Sequence, residues 1–182
     1  MGDTTSSIVL IGMPGAGKST IGVLLAKITC RSFIDTDVLI QTREGRPLQD
    51  IVDQDGHLAL RAIEEQVIIG QVCAGCVVAT GGSAVYSPSA MAHLKKRGTI
   101  VFLDTDLATL EARVRDVATR GLAKRKDQSF ADLFDERVPL YRRYADVTVD
   151  CRGLTHEEVC GRIIDELRRR GISGAESSES CS

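Results

Sequence analysis

Short runs of consecutive apolar residues alternate along this chain with longer stretches whose apolar positions recur every three or four residues. The runs at 8–11 (Ile8-Val9-Leu10-Ile11), 76–79 and 99–103 have the length and composition of buried strands. Shorter strands are expected at 31–35, around Phe33 and Ile34, and at 147–149. Helical spacing follows each. Ile21, Leu24, Leu25 and Ile28 predict a helix after the first strand, and 38–53 reads as one or two short pieces interrupted at Gly45 and Pro47. A long amphipathic stretch covers 58–72, and Pro88 opens a helix to about Arg97 that Gly98 stops. Asp106 can cap a helix reaching about Arg115. Ser129 or Asp132 restarts a helix into Tyr144, with Pro139 as a kink or break. Thr155 and Glu158 form a capping box for the last helix, which ends in Arg168-Arg169-Arg170 before Gly171. This alternation implies an α/β fold: one parallel sheet with helices on both faces.

Composition narrows the picture a little. The 182 residues suit one domain over 1–171, followed by a Ser/Gly/Glu-rich tail at 172–182 expected to be disordered. Aromatics are only 4% and Trp is absent, so the core is expected to be aliphatic, as in buried parallel sheets. A net charge of −2 gives no support for a nucleic-acid or membrane surface. The apolar runs are too short to cross a bilayer. The first seven residues lack a basic segment, so a cytoplasmic location is expected. Cys73 and Cys76 form a C-x-x-C without a second pair, and His57, His93 and His156 show no zinc spacing around it. A structural role is expected for this pair.

The strongest chemistry lies between the first strand and its helix. Gly12-Met13-Pro14-Gly15-Ala16-Gly17-Lys18-Ser19-Thr20 fits G-x-x-x-x-G-K-[ST] in the strand–turn–helix setting that motif requires. Glycines there let backbone N–H groups converge on phosphate oxygens, and the helix N-terminus adds its dipole. Gly12, Gly15, Ala16, Gly17, Lys18, Ser19 and Thr20 are therefore candidate nucleotide-binding residues. Lys18 would reach the β- and γ-phosphates, and the Ser19 hydroxyl would ligate Mg²⁺. A nucleoside triphosphate is the expected cofactor.

Four further features fall where such a sheet gathers ligands, outside the carboxyl ends of its strands. They are Asp35-Thr36-Asp37, the Arg61/Glu64 pair on the long helix, Gly81-Gly82-Ser83, and Arg137-Val138-Pro139-Leu140-Tyr141. Each has a plainer reading. Asp35 could be an N-cap, Arg61 with Glu64 a solvated i, i+3 pair, the glycines a turn, and Arg137 a surface charge.

Taken in order, these motifs resemble those of the shikimate kinase family, small P-loop kinases related to nucleoside monophosphate kinases. The resemblance covers 8–167: D-[ST]-D at Asp35–Asp37, F-R-x-x-E at 60–64 with Leu60 for Phe, G-G-G at 81–83, and R-x-P-L-Y at 137–141. It implies a P-loop three-layer α/β/α fold with a five-stranded parallel sheet and a mobile lid at about 116–128. It further implies ATP and Mg²⁺ as cofactors, and a small-molecule acceptor, shikimate, phosphorylated on a hydroxyl. A monomer is expected. By resemblance, Asp35 holds Mg²⁺ through water, and Asp37 binds the accepting hydroxyl and acts as its base. Arg61 and Arg137 clamp the carboxylate beside the Gly81 and Gly82 amides. Arg120 swings over the transferring phosphate, Arg113 lies against adenine, and the loop 151–155 closes the adenine pocket.

Two departures fall on the acceptor side. The lid reads Arg120-Gly121-Leu122-Ala123 where the family has R-P-L-L, and Ser83 replaces a third glycine, which strains the chain if positive φ is needed. Two other readings therefore stand beside shikimate phosphorylation: a kinase of this fold for another small hydroxy-acid or polyol, and a nucleotide-binding regulatory module without efficient transfer.

Overall fold

The computed structural model describes residues 6–71, 73–115, 124 and 127–172. Five parallel strands form one sheet in the order β2-β3-β1-β4-β5: β1 (Ser7–Ile11), β2 (Phe33–Asp35), β3 (Val77–Ala79), β4 (Gly98–Asp104) and β5 (Val147–Asp150). The central strand β1 pairs Ile8 to Leu10 with Val77 to Ala79 on one side, and Ser7 to Ile11 with Gly98 to Phe102 on the other. Every residue of β1 and β3 is buried, so both faces of the sheet are covered. Helix α1 (Lys18–Ile28) packs on α8 (His156–Arg169), while α5 (Pro88–Arg97) and α7 (Phe130–Tyr144) lie against β4. The chain turns to β2 and β3 on one side of β1 and to β4 and β5 on the other. The loop after β1 thus sits at the switch point where α/β sheets bind ligands.

Three helices build a small satellite core: α2 (Thr36–Glu44), α3 (Leu48–Asp55) and α4 (His57–Gly70). Ile40, Ile51 and Leu60 are buried there, apart from the main cluster. Gly45, at φ 66, ends α2 in the left-handed region, and α3 begins after Pro47, so the interrupted stretch resolves into two helices. Ser129 is the N-cap of α7 and Asp132 completes its capping box; Thr155 and Glu158 do the same for α8. Asp106 Oδ1 accepts the Thr109 N–H at 2.9 Å and caps α6 (Leu107–Arg115).

Pro139 does not break α7. It is exposed, as is Asp135 one turn back, so the carbonyl that loses its partner N–H is solvated. Gly98 closes α5 as its C-cap and opens β4, where a Cβ would meet the Ser7 backbone of β1. Cys76 is fully buried at the entry to β3, its Sγ donating to the Cys73 carbonyl at 3.7 Å, which fits a packing role for the C-x-x-C. The predicted tail at 172–182, apart from Ile172, and most of the lid at 116–128, Arg120 included, lie outside the described residues.

Candidate active site

The nucleotide side is local. Gly15 and Gly17 have φ of 85 and 87, which fold the backbone back over the start of α1, and at Gly17 a Cβ would come 3.1 Å from His156 Nε2. Lys18 Nζ donates to the carbonyls of Gly12 at 2.8 Å and Met13 at 2.9 Å, which holds the ammonium inside the loop. Burial pushes the Lys18 pKa down to about 8 against the opposing pull of Asp37, so the side chain remains mostly charged at neutral pH. Ser19 and Thr20 stand exposed on the first turn of α1, whereas Ala16 is 1% exposed and anchors the loop to the core. Arg113 of α6 reaches across, Nη1 donating to the Gly15 carbonyl at 3.2 Å.

The acceptor side is assembled from distant segments. Asp35 Oδ1 accepts the Asp37 N–H at 2.9 Å, so Asp35 does cap α2, and the cap is what presents Asp37 on the first turn. Thr36 is buried and its Oγ1 accepts the Gly81 N–H at 2.9 Å, so the Gly81 amide is committed to Thr36 rather than aimed at a ligand. Lys18, Asp37, Glu64, Gly81, Gly82 and Arg137 line one cavity of about 260 Å³. A Cβ at Gly81 would lie 2.7 Å from Asp37 Oδ1 and closer still to Glu64 Oε1; one at Gly82 would lie 2.8 Å from Arg137 Nη1 and 3.0 Å from Pro14 Cδ. A side chain at either glycine would push the charged ends of Asp37, Glu64 or Arg137 out of place. Tyr141 Oη donates to the Gly82 carbonyl at 2.6 Å and fixes that backbone in place.

Arg137 is 1% exposed, so it is no surface charge. Its Nε donates to Tyr86 Oη at 3.3 Å. Arg61 stacks on the same residue, its guanidinium carbon 3.6 Å from the centre of the Tyr86 ring, and lines an adjoining cavity of about 230 Å³ with Glu64, Ser83 and Tyr86. The two arginines thus meet at Tyr86, although they open on neighbouring cavities.

Sequence reasoning assigned no role to three members of this site: Glu64, Ser83 and Tyr86. Glu64 is 2% exposed, which rules out the solvated-pair reading; its Oε2 accepts from Ser83 Oγ, and its Oε1 has no hydrogen-bond partner among the described residues. Ser83 sits at φ −95, so the strain foreseen for a residue replacing glycine there does not arise. Only the R-x-x-E spacing could have hinted at Glu64; nothing in the sequence marks it as buried.

Burial, and next the charge of Asp37, push the Glu64 pKa up to about 7, while Ser83, Arg137 and Lys18 oppose them. The sign of the consequence is fixed by proton counting. From about pH 4.5 to 7 the native state keeps a proton that the unfolded chain has lost, so Glu64 erodes stability as pH rises through that window. In Glu64→Gln, which resembles the protonated form, the fall should flatten. Urea melts of both proteins at pH 5, 6, 7 and 8 should show wild type losing ground to the variant up to about pH 7 and no further. A constant difference between the two across the series would remove Glu64 as a buried titrating group.

A glycine-turned phosphate loop abutting a small cavity of carboxylates and guanidiniums defines a P-loop phosphotransferase for small molecules. Comparison with known proteins specifies which. The shikimate kinase family model matches residues 14–168, and this chain belongs to that family. It is 38% identical to the shikimate kinase of Halorhodospira halophila over 169 residues, spanning 91% of this chain and 95% of that one. It is 34% identical to that of Sulfurihydrogenibium sp. over 90% of this chain and 99% of the other. Among solved structures, shikimate kinase from Acinetobacter baumannii in complex with shikimate matches with a TM-score of 0.84 at 29% identity, covering 92% of this chain and 96% of that one. The Aquifex aeolicus shikimate kinase matches at 0.76 with 32% identity, covering 91% and 98%.

The residues present also suit Mg²⁺. No group of three or more His, Cys, Asp or Glu among the described residues could cage a metal alone. Ser19 and Asp35 offer single hard oxygens, the pattern of an ion that keeps its waters and takes phosphate oxygens.

Proposed function

We propose that this protein transfers the γ-phosphoryl group of ATP to a hydroxyl of shikimate. The observation that carries the reading is the single cavity joining Lys18 of the phosphate loop to Asp37 and Arg137. Lys18 neutralises charge on the β- and γ-phosphates as the phosphoryl group moves, with Gly12, Gly15, Gly17 and Thr20 cradling the phosphates. Ser19, and Asp35 through water, hold Mg²⁺, which supplies further charge neutralisation when bound. Asp37 orients the accepting hydroxyl and takes its proton. Arg137 and Arg61 bind the carboxylate at the far end, where the planar guanidinium offers paired donors. Arg113 packs on the adenine side, and Arg120 neutralises charge on the transferring phosphate. One domain carries all these parts. Five free cysteines among the described residues support a reducing, cytoplasmic compartment.

The test is ADP release with Mg²⁺-ATP against a panel of acceptors: shikimate, related hydroxy-acids and polyols. Shikimate should raise turnover well above the ATP-only background. Arg137→Leu should raise the shikimate KM by about 30-fold or more, with the ATP KM little changed, because it removes a charge-assisted contact in a buried site. ADP release with another acceptor and none with shikimate would leave a kinase with the wrong substrate assigned.

A further inference from the structure

Two cations that bind one small anion repel each other before it arrives, and something must hold them in register. In this chain both touch one side chain. Tyr86 closes a single 3-10 turn, Ala84–Tyr86, directly after the Gly81-Gly82-Ser83 segment. Its ring face carries Arg61, with the guanidinium carbon 3.6 Å from the ring centre, and Arg137 lies 5.2 Å from the same centre. Its hydroxyl accepts from Arg137 Nε at 3.3 Å and donates to Glu136 Oε1 at 2.6 Å. Glu136 is held in turn by Gln128, whose Nε2 donates to Oε2 at 2.7 Å.

The geometry has a chemical logic. A guanidinium stacked on an aromatic face is attracted by the ring quadrupole yet spends none of its in-plane N–H donors on that contact. Arg61 is thus oriented from its face by the Tyr86 ring. Arg137 is held differently: its Nε donates to Tyr86, its Nη1 lies toward Gly82 at the main cavity, and Tyr141 also engages the guanidinium. The phenol passes the contact on to the Glu136 carboxylate, which places a negative charge behind two positive ones.

We propose that Tyr86 is the positioning residue of the acceptor clamp, its ring seating Arg61 and its hydroxyl seating Arg137 at the mutual placement a small carboxylate requires. This rests on the reading of Arg61 and Arg137 as carboxylate binders. Tyr86 acts through the arginines; it has no part in the phosphoryl transfer itself.

Steady-state ADP release with shikimate as variable substrate, then ATP, tests the proposal on Tyr86→Leu and Tyr86→Phe, with Arg137→Leu as the control for the clamp. Tyr86→Leu should raise the shikimate KM by about ten- to thirtyfold, while kcat and the ATP KM stay within about twofold. Tyr86→Phe keeps the ring for Arg61 and loses only the hydroxyl, so its shikimate KM should rise by about threefold. The methyl ester of shikimate offers no carboxylate, and Tyr86→Leu should leave its KM as in wild type; a merely structural role for Tyr86 would affect both acceptors alike.

An unchanged shikimate KM in Tyr86→Leu, with Arg137→Leu still impaired, overturns the proposal and spares the clamp. An unchanged KM in Arg137→Leu removes the clamp reading, and the role of Tyr86 falls with it. Should Tyr86→Leu melt below the assay temperature, Tyr86→Phe decides, since it conserves volume: no rise in its shikimate KM overturns the assignment.

Discussion

Lys18→Ala lowers kcat by on the order of 10²- to 10³-fold and leaves the fold intact: this is the largest effect expected of any single substitution here. The ammonium is placed inside the phosphate loop by two backbone carbonyls at 2.8 and 2.9 Å, a geometry that packing alone does not need. Its burial already holds the pKa near 8, so the native state bears a desolvation cost for keeping that charge. Removing it should therefore cost little stability and the lysine's whole share of the charge neutralisation at the γ-phosphate. ADP release and a thermal melt, run on the same preparation, separate the two. A variant that retained most wild-type turnover would take the phosphate loop out of the reaction.

Asp37→Asn is expected to lower kcat by about 10²-fold with the ATP KM nearly unchanged. The amide keeps the shape and the place in the first turn of α2, which Asp35 fixes from the backbone. What is lost is the negative charge beside Lys18 and Glu64 in the cavity, and with it the proposed hold on the accepting hydroxyl. Because the transition state of phosphoryl transfer is loose, part of the loss reflects a misdirected hydroxyl rather than a missing base. The charge of Asp37 also raises the Glu64 pKa, so the variant should move the Glu64 titration to lower pH. Wild-type kcat together with a wild-type shikimate KM would reduce Asp37 to a residue of the helix turn.

Much of this was legible before any coordinates. Strand and helix positions followed from apolar spacing, and helix starts from caps, because both act within a few residues of one another. Asp106, and Thr155 with Glu158, cap as read, and of the alternatives Ser129 and Asp132 the N-cap is Ser129, since a side-chain oxygen and an N–H three residues on are close neighbours in the chain. The phosphate loop was legible for the same reason: its glycines, lysine and serine are contiguous. Pro139 sits inside a continuous α7, so the alternative of a break falls: the packing of α7 outweighs a local signal that is all the sequence carries. Whether Ser83 is strained turned on its φ, which the family's glycine pattern left open and the fold sets at −95.

The chain by itself determined an α/β class, a phosphate loop between strand and helix, and the order of the acceptor motifs. Tertiary structure alone decided that Arg137 and Glu64 are buried, that Thr36 holds Gly81, that Ser83 donates to Glu64, and that one tyrosine seats two arginines. The division has a physical cause. Conformational preference and capping are short-range, whereas the desolvation that sets the Glu64 pKa, and the crowding at Gly81 and Gly82, depend on segments as distant in the chain as Pro14, Asp37 and Arg137.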